Sequence, residues 1–207
     1  MDQQVAQLPW QVLLIGGASG TGKTIAAEVI GRQVGASWLQ VDDLRLTLQF
    51  GGLLSPEQHP DLFYFLQLDD VRQVGAEILL DKLIAIAGLM APAVGTVIGH
   101  HVATKKPVVV EGDGISPALA ARERGPAVRA VFLVETEEEV LHRNMFARGR
   151  GIAAERTPED QEQGRAWARL AWLYNRWLER EARQHGLLIL SPRPYETLAT
   201  RILESGI

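Results

Sequence analysis

The stretch from Val12 to Val34, VLLIGGASGTGKTIAAEVIGRQV, constrains this chain more than any other. Val12 to Ile15 is an unbroken apolar run, as a strand buried on both faces requires, and Ile25 to Val34 carries apolar residues at helical spacing. The residues between them, Gly17-Ala18-Ser19-Gly20-Thr21-Gly22-Lys23-Thr24, satisfy GxxxxGK[ST] and fall on the strand-to-helix turn. Only residues with little or no side chain let consecutive backbone N–H groups converge on phosphate oxygens, and the following helix adds free N–H groups and the positive end of its dipole. Gly17, Ser19, Gly20, Thr21, Gly22, Lys23 and Thr24 are therefore the expected nucleotide-binding residues. Lys23 is expected on the β- and γ-phosphates and the Thr24 hydroxyl on Mg²⁺, so that ATP and Mg²⁺ are the expected cofactors.

A length of 207 residues fits one domain with a substantial core. The formal net charge of -4 argues against a generic nucleic-acid or membrane-surface binder. With no cysteine there is no disulfide, thiolate nucleophile or thiolate metal site, which fits a reducing cytoplasm. The start, MDQQVAQLPW, lacks the basic and apolar regions of a secretory signal. The uncharged run Leu83 to Gly99 touches the lower edge of membrane-spanning length, but it holds Gly88, Pro92, Gly95 and Gly99. It is expected to be a buried helix broken at Pro92, and is also a candidate homodimer interface.

Further along, SWLQV (Ser37 to Val41) reads as a second strand ending at Asp42-Asp43, followed by a short helix. An amphipathic helix is expected from Asp69 to Met90, with a further piece to about Thr104. PVVV with Glu111 forms a third strand, Ile115 to Arg124 a short helix, and Val128 to Val134 a fourth strand. Thr136 to Arg148 reads as a helix with a Thr136/Glu139 capping box. A loop over about 148–158 precedes a long helix from Pro158 to His185. Leu187 to Leu190 is a fifth strand, and Pro194 starts a last helix. Strands alternating with helices give an α/β fold, a three-layer arrangement around a five-stranded, mainly parallel sheet.

In such sheets ligands bind at the carboxyl ends of the strands. Asp42 and Asp43 follow the second strand, Glu111 and Asp113 the third and Glu135 the fourth, so three acidic clusters are expected on one edge. A carboxylate beside a phosphate loop can hold Mg²⁺ or accept the proton of an attacking hydroxyl. Arg143, Arg148, Arg150 and Arg156 flank the 148–158 loop, and guanidinium groups on a loop can reach a transferring phosphoryl group once both substrates have bound. That loop is the candidate lid, with the helical segment of about 44–105 on the substrate side.

LLIGGASGTGKT, VDDLR, APAVGTVIGHHVATKKPVVVEGDGI, VFLVETEEEVLHRNMFARGR and REARQHGLLIL, in that order, resemble the P-loop kinases of the 2-phosphoglycerate kinase type. More distantly they resemble uridine kinase, chloramphenicol phosphotransferase and zeta toxin. The resemblance covers about Leu13 to Leu190. It implies an adenylate-kinase-like fold and phosphorylation of a small-molecule hydroxyl, with 2-phosphoglycerate or a nucleoside among the acceptors. It further implies Asp42 on the acceptor hydroxyl and Arg45 on substrate, with Glu111 matching the Glu-Gly after the third strand. Arg148 corresponds to a lid-edge arginine near adenine and phosphates, and Pro192 and Arg193 lie in the segment beside the base. Asp113 stands where the family often has His, so the acceptor pocket differs there. Asp42 and Glu111 join Thr24 as metal candidates, and Asp113, Arg150 and Arg156 join Arg45 as substrate candidates. Two competing readings are a P-loop ATPase switch and a catalytically silent ATP-binding module.

Overall fold

A computed structural model describes residues 8–148 and 157–206, the side chain of Arg148 excepted. Among the described residues the strands are β1 (Val12–Gly17), β2 (Ser37–Gln40), β3 (Val108–Gly112), β4 (Val128–Leu133) and β5 (Leu188–Leu190). They form one sheet in the order β2-β3-β1-β4-β5, every neighbouring pair parallel. The reason is legible in β1 and β3. Every residue of both is buried, and a strand covered by helices on both faces has no use for polar alternation.

The helices are α1 (Lys23–Val34), α2 (Val41–Phe50), α3 (Pro60–Phe63), α4 (Ala76–Thr104), α5 (Pro117–Glu123), α6 (Glu138–Arg148), α7 (Pro158–Gln184) and α8 (Leu198–Glu204). On one face of the sheet, Leu13, Ile15, Val109 and Val131 pack with Ala26, Ala27 and Ile30 of α1 and Leu198 and Ile202 of α8. On the other face, Leu14, Val108, Val110 and Phe132 meet Met90, Val94 and Ile98 of α4 and Tyr174 and Leu178 of α7. The period-2 alternation of β3 therefore sends Val109 and Glu111 toward α1, and Val110 and Gly112 toward α4.

Several boundaries depart from the sequence reading. Val41 opens α2 rather than closing β2, so Asp42 and Asp43 occupy the first turn of a helix instead of the loop past a strand. The helix expected from Asp69 begins at Ala76, because the Asp70 side chain accepts the Arg72 N–H and forms a 3₁₀ turn over Val71–Gln73. Pro92 does not break α4, which runs unbroken for 29 residues. It has the length and composition to cross a membrane, with 28% of its most apolar window buried, yet Leu79, Ile86, Met90, Val94 and Ile98 are sunk in the protein core. The capping box expected at Thr136 is absent; α6 starts at Glu138, and the Glu137 N–H donates to the Glu135 carboxylate. A capping box occurs at the head of α7 instead, between Thr157 and Asp160. A 3₁₀ turn, Tyr195–Thr197, separates Pro194 from the last helix.

The junction of β3 with α2 is tight enough to dictate residue type. A Cβ on Gly112 would lie 2.7 Å from the Cβ of Val41, and one on Gly114 would lie 2.8 Å from its Cγ1. Val41 is 1% exposed and has no room to retreat. Gly112→Ala is accordingly expected to lower stability by about 1–3 kcal/mol, as overpacked cores do. Chemical denaturation measures this, and an unchanged midpoint would show that the α2 start is not clamped as described.

Candidate active site

The turn between β1 and α1 has the backbone that its glycines allow. Gly20 and Gly22 sit at φ 86° and 80°, the left-handed region, with Gly22 immediately before α1. The Thr21 hydroxyl donates to the Ala18 carbonyl at 2.8 Å, and Lys23 Nζ reaches the same carbonyl at 3.3 Å. Lys23 is thereby folded over the loop and only 6% exposed. Ser19 and Thr24 are partly exposed at the mouth of this hollow. Two braces hold it from outside. The Asn144 side-chain amide of α6 donates to the Gly20 carbonyl at 2.8 Å and to the Tyr195 hydroxyl at 2.6 Å. The Tyr195 ring covers Gly22, whose added Cβ would stand 3.0 Å from it.

Glu111 reaches this hollow from the neighbouring strand. It pairs in register with Ile15 and Gln40, and it is 2% exposed. Burial raises its carboxyl above the ordinary range, an effect opposed by Lys23 and by hydrogen bonding to the Thr24 hydroxyl and reinforced by Asp42 and Asp113. Asp42 faces it from the first turn of α2, its side chain 45% exposed to the cleft and paired with Arg45 at 3.0 Å. Its carboxyl is also raised, by desolvation first and by repulsion from Asp113 second, with Arg45 and Lys23 pulling the other way. Asp113 is fixed by its backbone, since its carbonyl accepts the Tyr174 hydroxyl at 2.5 Å. Lys23, Thr24, Asp42, Glu111 and Asp113 thus interact as one electrostatic cluster, brought together from three elements.

A cation placed among crowded carboxyls would lower the cost of their charge. Mg²⁺ takes one or two carboxylates with waters and phosphate oxygens rather than a protein cage, and Thr24 with Glu111 and Asp42 offers that donor set. Among the described residues no three His, Cys, Asp or Glu side chains could hold a metal alone.

Other expected site residues fall differently. Glu135 does not join the acidic edge; it is 1% exposed, and its carboxylate pairs with Arg193 at 2.8 Å. Arg193 also pairs with Glu137 at 2.6 Å, so its guanidinium is committed to the end of β4, and Pro192 beside it is buried. Arg143 is exposed. The Arg148 side chain, Arg150, Arg156 and most of the candidate lid lie outside the described residues. Asn144, Tyr174 and Tyr195 went unnoticed in the sequence, where nothing about a polar residue on a distant helix marks it as a brace.

Beside the cluster, between α2, α4 and α7, lies a cavity of ≈ 250 Å³ that opens past Ser19, Arg45 and Asp113. A larger hollow of ≈ 480 Å³ lies among Arg124, Arg129 and Leu187, around the starts of β4 and β5 and away from the phosphate loop. The first adjoins the carboxylate cluster and the second does not.

No known family model matches this chain, and no curated protein matches it in sequence. Solved structures do. A gluconokinase from Sinorhizobium meliloti 1021 matches with a TM-score of 0.50 at 18% identity, over 96% of each chain. A shikimate kinase from Bacteroides thetaiotaomicron matches at a TM-score of 0.49 and 15% identity, over 94% of this chain and 97% of that one. A sugar kinase from Janibacter sp. HTCC2649 gives 0.47 and 19%, over 94% and 93%. The gluconokinase match shows the fold alone, an α/β arrangement of a five-stranded parallel sheet with flanking helices.

The raised carboxyls have a consequence for stability. A carboxyl that holds its proton more tightly when folded contributes stability that is fully present below its unfolded pKa and is lost as pH rises through the folded one. Asp42→Asn and Glu111→Gln should therefore each raise the Tm of the ligand-free protein at neutral pH, with the gain vanishing as pH falls below the ordinary carboxylate range. Thermal unfolding of wild type and variants across pH 3–8 checks this, and variants that are less stable at neutral pH would contradict the assigned environment.

Proposed function

We propose that this protein is an ATP- and Mg²⁺-dependent kinase that transfers the γ-phosphoryl group to a hydroxyl of a small molecule. The observation that carries the reading is one juxtaposition. A glycine turn suited to phosphate, with Lys23 and Thr24 at its end, faces Asp42, Glu111 and Asp113, and a cavity lined by Ser19, Arg45 and Asp113 adjoins them. A plain nucleotide switch needs the first half of that arrangement; an acceptor cavity beside a base suits group transfer.

In this reading the loop N–H groups and Lys23 bind the β- and γ-phosphates, and Lys23 offsets the charge that spreads over the equatorial oxygens. Thr24, Glu111 and Asp42 would hold Mg²⁺, which supplies charge neutralisation between the phosphates when bound. Asp42 accepts the proton of the acceptor hydroxyl as the new oxygen–phosphorus bond forms and the bond to ADP breaks. Arg45, paired with it at 3.0 Å, fixes its orientation. Asp113 and Arg45 border the acceptor, Pro192 and Arg193 lie beside the base, and Arg148, Arg150 and Arg156 approach from the lid. The resemblance to the 2-phosphoglycerate kinase type supplies phosphoglycerate as one acceptor to try, and a nucleoside as another. A cytoplasmic enzyme working on a small-molecule substrate, with no nucleic-acid or membrane partner, fits the composition. An exposed α4 strip including Ile78 and Leu89 is where a homodimer would form.

ADP release from Mg-ATP, screened across small hydroxyl compounds, is the test. Lys23→Ala is expected to cut acceptor-stimulated turnover by about 10²–10³, the scale of losing one charge-stabilising donor. Asp42→Asn is expected to cost about 10²–10⁴, the scale of losing a general base. Full activity in Asp42→Asn would remove the base assignment, and acceptor-independent hydrolysis as fast as the best stimulated rate would replace the kinase with an ATPase.

A further inference from the structure

The cavity beside Asp42 is poorly suited to a charged acceptor. Its walls are Leu46 of α2, Phe65 and Leu66 of the 3₁₀ turn Tyr64–Leu66, Leu83 of α4, and Trp167 and Leu170 of α7. Among the described residues polar groups on its wall are few, and most are already engaged. The Gln49 amide donates to the Leu62 carbonyl at 2.6 Å, and the Tyr174 hydroxyl donates to the Asp113 carbonyl. Arg45, the cation on the cavity wall among the described residues, is ion-paired with Asp42. Lys23 lies over the phosphate loop, within reach of Asp42 and Glu111.

An acceptor carrying a carboxylate or phosphate into this cavity would lose its own hydration against leucine and aromatic side chains, and Arg45 on the wall is already paired with Asp42. A neutral molecule meets the opposite balance. Its apolar body gains from leaving water, and its single hydroxyl finds Asp42 and Asp113 as acceptors at the mouth. The volume of ≈ 250 Å³ is roughly eight water molecules' share of liquid, the scale of one ring with a short side chain. Phe65 and Trp167, packed on each other with centroids 5.6 Å apart, make part of that wall aromatic.

We infer that the acceptor is a neutral alcohol with an aromatic or carbocyclic body, in place of an acidic or phosphorylated one. The inference rests on the kinase reading above and names the substrate class of that same site. The step balances as alcohol plus ATP giving the phosphate monoester, ADP and one proton: the alcohol oxygen bonds to the γ-phosphorus, the bond from that phosphorus to ADP breaks, and the proton passes to Asp42 and then to solvent.

The experiment pairs calorimetric binding with ADP release on the full chain. Benzyl alcohol, 2-phenylethanol and 1-indanol are compared with 2-phosphoglycerate, gluconate and shikimate, each with and without Mg-ATP. The neutral alcohols are expected to bind at least tenfold more tightly than the three anions and to give the faster ADP release. Leu46→Arg and Leu66→Arg, at positions 45% and 51% exposed and so tolerant of change, should weaken the alcohols tenfold and strengthen the anions. Tighter binding or faster turnover of an anion by the wild type overturns the inference and leaves the kinase reading standing. Absence of binding by every neutral alcohol overturns it as well. Alcohol binding without any ADP release upholds the chemistry of the cavity and removes the kinase reading instead.

Discussion

The structure depends on a length of backbone that must stay bare. Between β1 and α1 the chain turns through Gly20 and Gly22 in the left-handed region, and the Tyr195 ring lies over the second of them. A side chain at Gly22 would be strained in its backbone and crowded by that ring, and it would fill the hollow where N–H groups converge. The site's other parts are organised by distance from this hollow. β3 runs beside β1 in a register that sets Glu111 level with Ile15, and α2 begins hard against Gly112 and Gly114, which brings Asp42 to the same place. Bare backbone on β3 therefore does for the acids what bare backbone in the loop does for phosphate.

Stability and function pull in opposite directions at this edge. Glu111 is nearly fully buried and Asp42 is partly desolvated, both near a third carboxylate, and both carboxyls are raised in consequence. A fold selected for stability alone would place neutral residues there. Cost of that kind concentrated at one cleft is the pattern of a site whose charge is completed by ligands. Elsewhere buried charge is neutralised within the chain, as with Glu135 against Arg193.

Much of this was legible in the sequence, for identifiable reasons. The phosphate loop was readable because its conformation admits so few residues, and the strands because burial on two faces demands continuous apolar runs. Glu111 was located by its place in such a run. Asp42 reads as lying past a strand end, since nothing in VDDLR marks where an extended chain turns helical; the close packing of Val41 on Gly112 decides it. Pro92 reads as a break or a kink, yet α4 runs through it. Glu135 reads as one more acid past a strand, and only the distant Arg193 and Asn175 show why it is buried. The braces Asn144 and Tyr195, and the apolar cavity assembled from α2, α4 and α7, depend on contacts between remote segments and leave no local trace.

The central claim is that the turn between β1 and α1 grips a nucleotide's phosphates in the company of a magnesium ion. Titration calorimetry of the full chain with a non-hydrolysable ATP analogue tests it directly, in the presence and absence of Mg²⁺. The account predicts saturable binding of one analogue per chain that strengthens with Mg²⁺ and is lost in Gly22→Val. No heat with the wild type, or the same affinity in Gly22→Val, would contradict it.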